Sequence, residues 1–231
     1  MSTLLANRHA SPLQFIILVI AAFILSYIPV LSWPFSWMMT FFHEISHGMV
    51  ALLTGGSIVS IRLRLNGSGL CTTTGGIAFM VSLAGYLGAV LWGVAIYLMA
   101  DRLNKRFTDL MAWLMIVLVT LAALFWGRDV ITLLIMGVLI FLLLGVMKLQ
   151  ASSIIKIALK FIGVFILLDA VKAPLSLIDG RHYGDGASLA DLTGVPELIW
   201  VLLWFGVALY GLYFLWGSAN SVNDGHGSEV L

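Results

Sequence analysis

Residues 40–56 read TFFHEISHGMVALLTGG, an apolar run that nevertheless contains His43, Glu44 and His47. On a helix, residues four apart share a face, so both imidazoles can reach one ion. Neutral histidine is the commonest metal-binding side chain, and zinc takes its nitrogen at about 2.0–2.1 Å. Glu44 projects one position on, beside such an ion and not onto it. That suits a base toward water activated by the metal. Left unpaired in hydrocarbon, each of these groups would cost several kcal/mol, a penalty that a shared ion removes. A catalytic zinc wants a third protein ligand. His9, His182 and His226 lie in polar tails or loops, so the acids of 169–191 are the better candidates. Asp169 closes a hydrophobic run, Asp179 and Asp185 each precede a glycine, and Asp191 reads as a surface or helix-start residue.

These residues need a frame of helices. The chain has 231 residues, 61% apolar and 10% charged, with mean hydropathy +1.07. Ordinary soluble domains carry about 25% charge, so the composition points to an all-α polytopic membrane protein in contact with lipid. A net charge of +1 gives no reason to expect nucleic acid. A single cysteine, Cys71, excludes an internal disulfide and any cysteine-built metal site. A membrane-crossing helix needs about 20 mostly apolar residues. Runs at 13–31, 33–53, 77–100, 110–126, 130–147, 154–171 and 198–216 predict about seven transmembrane helices. The first reads as a retained span, the fourth and fifth as a tight helical hairpin. Residues 1–217 form one integral-membrane unit, with 218–231 as a polar, flexible tail.

The connection at 55–76 has its own pattern. Ile61, Leu63 and Leu65 alternate with Arg62 and Arg64, the period of a strand with one apolar face. Asn66-Gly67 then supplies a hairpin turn, since both residues accept positive φ. A small β-hairpin after the second span is therefore expected. Ala84, Gly88, Ala89 and Gly93 are spaced for close helix packing, with the second span as partner.

HEISH in an apolar helix, TGG just after it, AGYLG at 84–88 and GDGASLADLTGVP at 184–196 resemble the intramembrane site-2-protease family, and most closely its compact branch of small membrane zinc metallopeptidases. The likeness covers residues 41–200. It implies a zinc-dependent endopeptidase acting on membrane-embedded protein substrates. His43 and His47 would be ligands, Glu44 the catalytic base, and a later aspartate the third ligand. Gly184-Asp185-Gly186 matches the branch best, so Asp185 ranks ahead of Asp169 and Asp179. The Asn-Pro element of better-known members does not occur in this chain. The resemblance also gives the hairpin a role, in which Ile61, Leu63 and Leu65 present an edge to an unwound substrate. Two other functions fit the same residues, a non-proteolytic scaffold or chaperone and a zinc or ion transporter. A pure binder has no need of Glu44, and a transporter of this kind would carry repeats that the sequence lacks.

Overall fold

The computed structural model describes residues 11–148, 152–178 and 181–224. Within them the chain forms α1 (Pro12–Leu25), α2 (Trp33–Leu53), β1 (Ser57–Leu63), β2 (Gly69–Thr74), α3 (Ala78–Arg102), α4 (Lys105–Phe125), α5 (Val130–Lys148), α6 (Ser152–Lys172), α7 (Asp185–Thr193) and α8 (Glu197–Asp224), with a 3-10 turn at Ala173–Leu177. Six of the seven predicted apolar runs are helical almost throughout, whereas the first, 13–31, is helical only as far as Leu25. Four of them, α3, α4, α5 and α8 (to Asn220), are long and apolar enough to cross a membrane. The expected count of seven crossings is not reached on that measure. α1 has only 14 residues. α2 holds His43, Glu44 and His47, and α6 holds Lys156, Lys160, Asp169 and Lys172. The protein is an integral membrane protein, with polar chemistry concentrated on the two helices that composition alone does not class as spans.

α3 and α6 form the spine. A Cβ at Gly163 would stand 2.6 Å from the Gly93 carbonyl oxygen, so the two backbones touch. Close approach through small residues is how helices gain packing where the solvent is as apolar as the side chains. Gly93 thus serves α6 and not α2, whereas Gly88 does face α2, against Ser46. At one end, the buried Lys160 ammonium donates to Asp101 Oδ1 at 3.3 Å and to Gln14 Oε1 at 3.1 Å, tying α6 to α3 and α1. Arg102 donates to Ser218 Oγ at 2.6 Å, and Ser218 is buried. α8 continues through it to Asp224.

The hairpin forms as expected, with β1 and β2 antiparallel. Arg64 N–H donates to Ser68 O, and Gly67 adopts φ +83° in the turn. It folds back along α2 instead of hanging in solvent. Trp37 Nε1 donates to Leu65 O at 3.2 Å, and Thr40 Oγ1 to Gly67 O at 2.5 Å. Gly48 lets Ile58 and Cys71 lie against the helix, since a Cβ there would meet Ile58 Cδ1 at 2.5 Å.

Candidate metal centre

Two turns in the middle of α2 carry His43, Glu44 and His47, and the helix is 21 residues long, so the site lies deep within it. Asp185 arrives from far along the chain. Gly184, at φ +99°, turns the backbone into α7, and Asp185 is the first residue of that helix. Leu189, fully buried, anchors α7 in the core. The result is a compact triad. His43 Nε2 and His47 Nε2 are 3.0 Å apart, and Asp185 Oδ2 lies 3.0 Å from the first and 3.2 Å from the second. These residues offer three ligand atoms within 4.8 Å of one another. Ligands on a tetrahedral zinc with 2.0–2.2 Å bonds stand about 3.3 Å apart, so this donor set fits one ion.

The surroundings support that fit. His47 Nδ1 donates to Val81 O at 2.6 Å, which leaves the Nε2 lone pair turned toward the triad. The His43 ring stands edge-on to the His47 ring at 4.7 Å and to Tyr86 at 4.5 Å. Gly85 presents bare backbone to both. A Cβ there would lie 2.5 Å from His43 Cε1 and from His47 Nε2.

Glu44 is buried beside the triad and outside it. The Cys71 backbone N–H of β2 faces its carboxylate. Gly69 also passes close: a Cβ there would be 2.5 Å from Glu44 Oε1. Asp169 stays apart and pairs with Lys172 at 3.3 Å. Asp179 lies outside the described residues, and Asp191 meets His182 on the surface at 2.8 Å.

The strand residues expected to meet substrate need correction. Ile61 and Leu63 are core residues, 0% and 1% exposed. Both edges of β1 are taken: β2 holds one, and Trp126 O and Thr132 Oγ1 accept the Ile61 and Leu63 N–H groups on the other. Leu65 lies past the end of the strand. In an antiparallel pair, opposed residues point their backbone groups the same way, together inward or together outward. Ile61 and Leu63 point away from β2, so their partners Cys71 and Gly69 point away from β1, toward Glu44. The edge beside the site is therefore the one that β2 supplies. The alternation of apolar residues singles out β1 because it is the buried strand. Nothing in GLCTTT marks β2, whereas Gly85, the first of the two glycines of AGYLG, is visible in sequence but sits among residues spaced for helix packing.

The profile of the Peptidase M50B-like family matches residues 15–216. The chain belongs to the Peptidase M50B-like family. This is the site-2-protease family that HEISH and GDGASLADLTGVP resemble, a family of membrane metallopeptidases. The match spans every element from α1 to the body of α8, so the M50B-like assignment covers the triad, Glu44 and the hairpin together. No curated protein and no solved structure matches the chain significantly.

Proposed function

We propose that the chain is a zinc-dependent intramembrane endopeptidase, in which His43, His47 and Asp185 hold the ion and Glu44 is the base. The convergence of two Nε2 atoms and one carboxylate oxygen, with a second carboxylate alongside but apart, carries the reading. When bound, zinc lowers the pKa of water and polarises a carbonyl oxygen. The protein's own groups do the rest. Val81 O fixes the His47 tautomer, and Gly85 gives both imidazoles room. Glu44, buried beside them, accepts a proton from the attacking water and returns it to the leaving amine. Such general acid–base work is worth about 10²–10⁴ in rate.

A helical substrate hides its scissile carbonyl in its own hydrogen bonds. The outward backbone groups of Gly69, Cys71 and Thr73 offer an unwound segment alternative partners within reach of Glu44, an added-strand mode of binding. The partners are therefore transmembrane protein substrates within the bilayer. A scaffold would have no use for the buried Glu44. A transporter would need an exchangeable route for the ion, and His47 locked onto Val81 argues for a resident one. Reconstitution with a single-span substrate tests the proposal: cleavage should stop on chelation and return with zinc. Cleavage that survives complete zinc removal would refute it.

A further inference from the structure

α8 presents an unusual row of atoms to the interior. Glu197 Oε1, Trp200 Nε1 and Trp204 Nε1 are buried polar atoms with no hydrogen-bond partner among the described residues. Their spacing of three and four residues puts them on one face of the helix, one after another along about 10 Å. That face is turned toward the site: Trp204 packs on Tyr86 at 4.6 Å, and Tyr86 packs on His43. His43 Nδ1 is a fourth buried atom without a partner. At the other end, Glu197 packs on Gly186, next to Asp185, and its charge adds to that of Asp191 in raising the pKa of the exposed His182.

An unpaired buried polar atom costs about 1–3 kcal/mol, and native proteins rarely leave several together. Metal-binding histidines nearly always donate their second N–H to an acceptor. His47 does so through Val81 O, whereas His43 has no protein acceptor among the described residues. A peptide cannot reach atoms so enclosed, but a water molecule with two to four polar partners can.

We infer that α8 lines a water-filled seam, running from the surface near His182 past Glu197, Trp200 and Trp204 to the outer nitrogen of His43. The seam supplies the acceptor that His43 lacks. It also links the site to bulk water on the side away from β2, where bound substrate would cover the open face. Only the part concerning His43 as a ligand rests on the function proposed above.

The test is hydrogen–deuterium exchange of indole N–H groups by NMR, on the full chain in detergent, with and without zinc. Trp200→Phe and Trp204→Phe keep an aromatic ring in place and assign the two signals. Trp37 provides an internal reference, because its buried N–H donates to a protein carbonyl. In a wet seam the Trp200 and Trp204 protons exchange at least tenfold faster than that of Trp37, and each shows a water cross-peak in both zinc states. Exchange as slow as that of Trp37, or a wet Trp200 with a dry Trp204, overturns the seam. Because the readout needs neither metal nor cleavage, loss of the peptidase reading would leave this result standing, and the reverse.

Discussion

Replacing Gly85 with alanine separates metal binding from helix stability. The added methyl would stand 2.5 Å from His43 Cε1 and His47 Nε2, and 2.6 Å from His43 Nε2. Carbon makes favourable non-bonded contacts at about 3.5–4.0 Å, so about 1 Å must be recovered against both rings at once. α3 cannot easily retreat, since Ala84 and Tyr86 are buried on either side and Val81 O holds His47. The rings must move instead, and the three ligand atoms lose their common focus. Removing an outer-shell partner already costs about 10–100-fold in metal affinity. Displacing two ligands should reach the top of that range, about 100-fold. The same substitution favours the helix itself by up to ~1 kcal/mol, because glycine is a poor helix former. Gly85→Ala should thus lose zinc in a chelator-competition titration while the metal-free protein melts no lower than wild type. Gly137→Ala, with nothing within 4 Å of the new Cβ, is the matched control and should keep its zinc. Wild-type zinc affinity in Gly85→Ala would refute the close-approach argument.

Further expectations follow from individual contacts. Asp185→Asn, His43→Ala and His47→Ala should each lower zinc occupancy, whereas Asp169→Asn, whose partner is Lys172, should keep it; elemental analysis of the purified variants decides. Thr73→Pro removes an outward N–H from β2, so cleavage should fall at unchanged zinc content; undiminished turnover would mean that substrate does not pair there. Thr132→Val leaves the Leu63 N–H without its acceptor and should cost about 1–3 kcal/mol, read as a drop in Tm. Asp129 accepts from Thr132 N–H and Oγ1, which lower its pKa, so its contribution is present above the ordinary carboxylate value and disappears as pH falls through the lowered one. In Asp129→Ala the loss of stability on acidification should be correspondingly smaller.

The candidate ligands on α2 were legible because their chemistry depends on local spacing, four residues on a helix. Asp185 was legible only through the resemblance, since a contact across some 140 residues leaves no local periodicity. The hairpin was readable from its alternation and its Asn66-Gly67 turn. The strand singled out within it was β1 for a physical reason: alternation reports which strand has a buried face, and the buried strand has both its edges occupied. Of the seven expected crossings, four are confirmed by length and composition among the described residues. Hydropathy treats α2 and α6 as marginal because they carry the ionisable groups, and only packing reveals that those groups meet partners inside the protein. Gly85 escaped because a glycine that admits a ligand cannot be told in sequence from one that admits a neighbouring helix.

The central claim separates ligands from base, and Glu44→Gln tests it most directly. Zinc content and cleavage of a reconstituted single-span substrate are measured on wild type and variant side by side. The account predicts about one zinc per chain in both proteins and a loss of cleavage of at least about 10²-fold in the variant. Zinc lost together with activity would make Glu44 a ligand. Full cleavage in the variant would mean that another group takes the proton, and either result contradicts the account.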